Sequence, residues 1–443
     1  MTAGGIAAIP RAPGWLPLIG HAVPLRNPLE FLKTLRHTGD LVRIHLGTLP
    51  VVVPTSHELV HEVLLGKGYE KGRLYDRMEL AVGGGLATNE TTHIPRRRAI
   101  QPVFNDEYME HYSRIMAARA QRLSDSLRPG ERIDVDKAMS GFAIGSLAEC
   151  MFSSELGHDA VESVQRIIPV ILETMLVRAV SPPVTDRWER WPMTSNSRFI
   201  EAARELRSVI DDVIERTSRS EEQQLDLVSL LMAAQDPETG LGLSLRDVRD
   251  ELATMQFAGT ETTAATLTWT FHELARHPRV QEAVVAEIDR VVGEGPVGYA
   301  HVGKLEYTQK VLQEALRLHG VTMVMRRVKK DAPVTLGGYE LPAGTEVVLS
   351  LYAVNRHPGL YENPEVFDPE REQPDRKYRL SFGAGKRKCI GEGFSLMEAT
   401  ILLATLLRRW RLEPVPGHTV KEAVSAMAHA DSMPMTVRPR QDA

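Results

Sequence analysis

A lone cysteine set among glycines and cations is the most chemically suggestive feature of this sequence. The stretch Ser381-Phe382-Gly383-Ala384-Gly385-Lys386-Arg387-Lys388-Cys389-Ile390-Gly391 leads into a long apolar helical segment. Loop amides, a helix N-terminus and neighbouring Lys and Arg all favour thiolate there. The only other thiol, Cys150, lies in the apolar run Ala148-Glu149-Cys150-Met151-Phe152 and reads as a core residue. A zinc cage needs more soft ligands than one cysteine supplies, whereas a single thiolate suits the axial position of haem iron.

A second feature breaks a local rule. Ser244 followed by Asp247 reads as a capping-box start, and no proline occurs until Pro278. The spacing predicts a helix of about 33 residues, roughly 50 Å long. Its middle is Phe257-Ala258-Gly259-Thr260-Glu261-Thr262-Thr263, flanked by Leu252, Met255, Ala264, Leu267 and Trp269. Glycine and consecutive hydroxyl residues are poor interior helix formers, and the hydroxyls can bond back and bend the helix. Two readings stand at this point: a tolerated Gly beside surface threonines, or a core helix weakened for function.

The elements that must position these residues are mostly helical. Leu41–Leu46 and Val51–Val53 predict a hairpin around a turn at 47–50. Helical periodicity marks 28–37, 107–127, 141–152, 160–180, 196–219, 227–235 and 393–410, with Pro182-Pro183 and Trp191-Pro192 interrupting. Residues 332–351 are strand-rich, and residues 1–28 are an irregular, proline-punctuated segment. The fold class is mainly α with a small β region, and strands do not alternate with helices as a doubly wound sheet requires. Over 443 residues, 43% are hydrophobic and 25% charged, which excludes disorder and coiled coil for most of the chain. A net charge of −5 argues against a dedicated nucleic-acid binder. Two cysteines exclude a disulfide framework and suit a reducing, cytoplasmic compartment. No export signal and no apolar run of membrane-spanning length is visible, so no membrane anchor is expected.

Phe382, Gly385, Arg387, Cys389 and Gly391 meet the pattern F-x-x-G-x-R-x-C-x-G. On these positions the chain resembles the haem-thiolate monooxygenases, the cytochrome P-450 family. The resemblance implies one haem-thiolate domain over residues 1–443, with haem b (iron protoporphyrin IX) held through the Cys389 thiolate. The family's E-x-x-R motif matches Glu314 and Arg317. The same spacing recurs at Glu70/Arg73, Glu201/Arg204 and Glu287/Arg290, so position upstream of the β region singles out the first pair. Arg371, in Pro369-Glu370-Arg371, would complete a buried network supporting the thiolate loop. The haem carboxylates would be received by His93 and Arg97 of an H-x-x-x-R element, by Arg387, and by Arg327, with Arg326 as its alternative. Ala258-Gly259-Thr260-Glu261-Thr262 resembles the A-G-x-[DE]-T element. Ala258 would then contact the cofactor, Gly259 would let the backbone open beside it, and Thr262 and Glu261 would supply protons for dioxygen activation. Gly320 stands where many relatives carry proline.

Apolar, methionine-rich pocket walls are expected from a loop at 75–86 with Leu80 and Val82, from Leu176, from Met255, from Val321, Thr322 and Met323, and from Met427. The overall pattern is similar to that of actinobacterial oxygenases of cyclic terpenes, which implies hydroxylation of a cyclic terpenoid in secondary metabolism. Macrolides, steroids and fatty acids are the alternatives. The chain stops about 50 residues past Cys389, so electrons are expected from a separate ferredoxin and ferredoxin reductase, with Arg96, Arg98, Lys386 and Lys388 as a basic docking patch. Rival readings are a haem-thiolate peroxygenase or isomerase, a binding-only haem protein, and a terpene cyclase built on Asp211-Asp212-Val213-Ile214-Glu215. That acidic run reads more simply as the polar face of an amphipathic helix.

Overall fold

A computed structural model describes residues 5–87, 91–152, 160–171, 194–219, 225–331, 333–424 and 427–440. One helix organises the chain. Ser244 accepts from the Asp247 amide while Asp247 reaches back to the Ser244 amide, and this capping box starts a helix over Leu245–Arg276. It is buried on most sides from Val248 to Leu274, so it runs through the core rather than along it. The helices Val135–Met151, Glu306–His319 and Glu392–Leu407 pack around it.

Gly259 serves that packing. A Cβ there would lie 2.7 Å from Leu147 Cδ2 on the Val135–Met151 helix, so the two helices approach closely. The central helix runs unbroken through this point. Where Gly259 was expected to open the backbone, the helix is continuous, and the glycine leaves room for the Leu147 side chain.

The β region is a five-stranded sheet of β1 (Leu41–Leu46), β2 (Leu49–Pro54), β3 (Tyr69–Lys71), β4 (Val324–Val328) and β5 (Glu346–Leu349). Its order is β1-β2-β5-β4-β3. β2 and β5 are parallel and the other pairs antiparallel. β1 and β2 form the expected hairpin, closed at Leu46 and Leu49 through Gly47 at φ 63°. Between β3 and β4 the register sets Lys71 opposite Arg326 and Glu70 opposite Arg327. Opposed residues share a face and successive ones alternate, so Lys71 and Arg326 lie on one face and Arg327 on the other.

The stretch expected as a loop at 75–86 is a helix over Arg73–Val82, with Asp76 in its first turn and Gly83 ending it at φ 75°. Only 83–87 is loop. Leu176 and the proline-rich stretch around it lie outside the described residues, as does the Leu80 side chain.

Candidate active site

The cysteine loop is folded back on itself. The Cys389 amide donates to the Phe382 carbonyl at 2.9 Å, and the Lys388 amide donates to the Gly385 carbonyl at 3.1 Å. Gly385, at φ 69°, seats the loop against the helix His57–Leu65: a Cβ there would meet Leu65 Cδ2 at 2.8 Å and the Leu64 carbonyl at 3.2 Å. Gly391 caps the helix Glu392–Leu407 and donates its amide to the Cys389 sulfur. Cys389 is exposed, yet protein surrounds it densely enough that burial pushes its thiol above the usual value. Both hold together if the sulfur faces an interior opening. The Gly391 amide, Arg97 and Lys388 pull the pKa down but do not overcome burial. This corrects the reading that the loop alone favours thiolate. The proton leaves when a metal binds, because metal binding selects the deprotonated ligand.

The central helix carries the matching signal. In a segment otherwise buried, Ala258 is exposed, and Met255, Gly259, Glu261 and Thr262 are half-buried. Met255, Ala258, Gly259 and Thr262 fall at i, i+3, i+4 and i+7, one stripe of the helix. A stripe exposed in the middle of a core helix lines a cavity. The Thr262 hydroxyl donates to the Ala258 carbonyl at 2.8 Å, and Thr266 repeats the pattern onto Thr262 at 2.7 Å. Thr263 leaves the stripe and meets Ser395 of the cysteine helix at 3.1 Å, which ties the two helices together.

Cations converge beside the loop. Arg97 donates to the Lys388 carbonyl at 2.6 Å. His93 is buried, with Nδ1 3.1 Å from the Leu86 carbonyl and Nε2 3.2 Å from the Lys386 carbonyl. Burial, then the charges of Lys71 and Arg387, push its pKa down to about 4, so the ring is neutral at pH 7 and donates through one nitrogen. Lys71, buried, donates to the Leu86 carbonyl at 2.5 Å. Across the β3–β4 pair stands Arg326, only 5% exposed; among the described residues its side chain makes no hydrogen bond or ion pair. Two buried cations side by side on one sheet face, one of them unpartnered, call for an anion. Arg327, expected as a cofactor ligand, points elsewhere: it binds Glu346 at 2.6 Å, Asp76 at 2.6 Å and Glu70 at 3.9 Å. The period-2 alternation of the strand puts the two arginines on opposite faces of the sheet. Lys71 escaped the sequence reading because it sits in a three-residue strand with no motif.

The structure gathers Glu314, Arg317 and Arg371 into one buried network. Arg317 grips Glu314 with two bonds of 2.9 and 2.8 Å, and Arg371 Nε reaches the same carboxylate at 2.8 Å. Remaining guanidinium protons go to the carbonyls of Asn355, Pro364, Val366 and Glu362, all between 2.7 and 3.1 Å. The Asp368 amide completes the carboxylate at 3.0 Å.

Of the pocket residues, Val321 bridges to Met427, which is buried; Thr322 is fully buried, Met323 half-buried, and Val82 lies in the main core. The expected basic patch is mostly neutralised. Arg96 pairs with Asp247 and Glu251, Arg98 with Asp236 and Glu238, and Lys388 with Glu392, leaving Lys386. In the acidic run, Asp211 is paired with Arg249 and Glu215 with Arg219 on a helix surface, as a polar face would be. Two buried acids were not foreseen. Glu251 takes the Leu86 amide at 2.9 Å, and burial raises its pKa to about 7. Glu398, beside Ser146 and Thr263, is pushed by burial to about 8.

A family model described as Cytochrome P450 matches residues 10–434. The chain belongs to the cytochrome P450 family. It is 36% identical over 440 residues to cyclooctatin synthase of Streptomyces melanosporofaciens, covering 97% of this chain and 95% of that one. It is 35% identical to cyclooctat-9-en-7-ol 5-monooxygenase of the same organism, with coverages of 97% and 95%. Pentalenene oxygenase of Streptomyces avermitilis is 33% identical, covering 94% of each. As a cytochrome P450 the protein is a monooxygenase that uses haem b with an axial cysteine thiolate, a redox partner and a hydrophobic substrate. An exposed Cys389 in dense surroundings, an exposed stripe on the core helix and a buried arginine without a partner among the described residues fit that cofactor. No helix among the described residues is long and apolar enough to cross a membrane.

Proposed function

We propose that Cys389 is the axial haem ligand, and that the protein hydroxylates a cyclic terpenoid with electrons from a ferredoxin and its reductase in the cytoplasm. Lys71, His93, Arg97, Arg326 and Arg387 hold the haem carboxylates, with Arg326 replacing Arg327 in that set. The observation that carries the reading is an exposed Cys389 within dense protein surroundings, at the end of a loop folded back on itself. The bound haem supplies dioxygen activation and oxidation of an unactivated C–H bond.

The chain's own residues do the rest. The Gly391 amide orients the sulfur and offsets part of its charge. Glu314, Arg317 and Arg371 keep the loop support rigid. On the opposite side Thr262 Oγ1 and the Glu261 carboxylate hold protons for the pocket; Thr262 parks its own on the Ala258 carbonyl. Met255, Val321 and Met323 exclude water and shape an apolar wall. The relatives named for pentalenene and cyclooctat-9-en-7-ol support a polycyclic hydrocarbon skeleton as the substrate.

The test is spectroscopic. Reduced protein with carbon monoxide absorbs at the long-wavelength thiolate position, and Cys389→Ala loses that band; a variant that keeps it overturns the ligand assignment. Cyclic terpene hydrocarbons shift the Soret band of the ferric protein. A shift with fatty acids or macrolides but none with terpenes overturns the substrate class.

A further inference from the structure

Next to the Val321–Met427 bridge stands a cluster of charge that the chemistry described so far does not use. Two residues before Val321, the buried His319 ends its helix with a carboxylate at each ring nitrogen. Nδ1 lies 2.7 Å from Glu422 Oε1, and Nε2 lies 2.9 Å from Glu273 Oε1. Burial would raise both carboxyls, yet the hydrogen bonds and charge of His319 hold them below the usual value, so both oxygens accept. A ring that donates from both nitrogens carries two protons and a positive charge.

The ring joins elements that are distant in sequence. Glu273 belongs to the central helix, one turn after Trp269, and the two share a face. The Trp269 ring lies flat on His319, with 4.1 Å between centroids and 8° between planes, and its Nε1 donates to the Ala428 carbonyl at 2.7 Å. Glu422 begins a hairpin in which Glu422–Val424 pairs with Ala428–Ala430. Its other carboxylate oxygen accepts from the Tyr352 hydroxyl at 2.7 Å, and the Arg356 guanidinium lies 3.7 Å over the Tyr352 ring. On the helix side, His277 Nδ1 stands 3.4 Å from Glu273 Oε2. His272, edge-on to Trp269, is pushed by burial to about 4 and is neutral at pH 7. His319 is the cation that the two acids share.

What this clasp holds is Met427. A ribbon of two three-residue strands is marginal alone and stays where its contacts put it. The Ala428 amide donates to the Gly320 carbonyl at 3.4 Å, immediately beside the Val321–Met427 bridge. Gly320 makes that turn possible, since a Cβ there would collide with the Leu316 carbonyl. Met427 and Val321 pack in the apolar cluster that also takes Met255 of the exposed helix stripe. Taking two acids and a cation out of water stabilises no more than apolar packing of the same volume. What the ionic group adds is direction: its bonds are satisfied at one placement of the hairpin.

We propose that His319 is a positioning residue for substrate selection: clasped between Glu273 and Glu422, it sets how far Met427 stands into the pocket and so which apolar shapes fit. The proposal rests on Val321 and Met427 forming a pocket wall, and not on the terpenoid class.

The experiment compares haem-loaded full-length wild type with E422A, E422Q, H319F and M427A. E422A removes the outer acid, whose side chain is 26% exposed, and leaves His319 on Glu273 in the core. Its haem content and carbon-monoxide spectrum should match wild type. Its hairpin amides should exchange about tenfold faster, the scale of one bond to a charged group. Two iron-binding imidazoles of different girth, 4-phenylimidazole and the triaryl clotrimazole, probe the pocket through the Soret band without any substrate. In E422A the ratio of their Kd values should shift toward the bulkier one by about three- to tenfold, no more than the loosening of the hairpin allows. E422Q keeps a carbonyl acceptor and should return most of the way. H319F keeps a ring on Trp269 but donates nothing, and should shift the ratio in the same direction; if it does not fold, E422A and E422Q decide. Unchanged exchange in E422A overturns the proposal. So does faster exchange with an unchanged ratio while M427A shifts it, which makes the clasp a fastening of the fold alone. A ratio that M427A also leaves unchanged overturns the pocket wall itself. Failure of every terpene as substrate overturns the substrate class and leaves the imidazole result standing.

Discussion

The buried charges beneath the cysteine loop and those along β3 and β4 are balanced in opposite ways. Glu314 is met by Arg317, Arg371 and the Asp368 amide, and the leftover guanidinium protons go to backbone carbonyls. That network is closed within the chain. Lys71 and Arg326 stand side by side; Lys71 donates to the Leu86 carbonyl, while among the described residues the Arg326 side chain makes no hydrogen bond or ion pair. A framework network supplies its own counter-charge; a binding site leaves the balance to its ligand. Arg327, one residue from Arg326, belongs to the framework kind, with three carboxylates around it.

The largest effect that could break this contrast is at Glu314. Glu314→Ala leaves two arginines buried without their acid, a cost of about 3–5 kcal/mol. The variant is expected without stable haem and with a sharply lowered Tm. Normal haem content and melting would make the network dispensable.

Next comes the exposed stripe of the central helix, where polar groups are proposed to serve turnover rather than stability. Glu261→Gln should slow oxygen activation by about 10²-fold or more, with an altered solvent isotope effect. Thr262→Ala should retain haem and substrate binding yet divert reductant to hydrogen peroxide or water. Wild-type coupling in Thr262→Ala would reduce the hydroxyl to its back-bond onto Ala258.

The two arginines sharpen the comparison directly. A hydrogen bond to a charged group is worth about 1.5–3 kcal/mol, so Arg326→Ala should weaken haem retention by roughly ten- to a hundredfold, read by haem transfer to apomyoglobin. Arg327→Ala should lower Tm and leave haem retention near wild type. The reverse pattern would return Arg327 to the cofactor.

The smallest effect concerns Glu251, which accepts the Leu86 amide and pairs with Arg96 at the start of the central helix. Burial raises its pKa from 4.5 to about 7, against the pull of the Leu86 amide, Arg96 and Lys71. The folded state therefore holds this proton to higher pH than the unfolded chain. Its contribution to stability falls as pH rises from about 4.5 to about 7 and is flat beyond. Glu251→Gln should flatten the fall across that window in denaturant titrations. An unchanged slope would assign it to another group.

Much of this was legible in residue order because it rests on local chemistry. The capping box of Ser244 and Asp247 and the length of the central helix need only nearest neighbours, and the helix ends at Arg276 before Pro278. The β1–β2 hairpin follows from alternation and a glycine turn. The cysteine loop is a contiguous motif, and so is the short spacing that links Glu314 to Arg317. Position along the chain was enough to separate that pair from the three other copies of the spacing.

What residue order left open was set by which surfaces meet. Gly259 looks like a helix weak point until Leu147, distant in sequence but on a neighbouring helix, is seen against it. Arg96, Arg98 and Lys388 look like a free basic patch until acids distant in sequence or one turn away neutralise them. Lys71 and Arg326 lie more than 250 residues apart and become neighbours only through strand register. The sequence by itself determined the family, the thiol and the central helix, because each is written in adjacent residues. Only the tertiary structure decided on which face of the sheet each arginine lies and which acids keep their protons, because orientation and desolvation are properties of packed neighbours rather than of residue type.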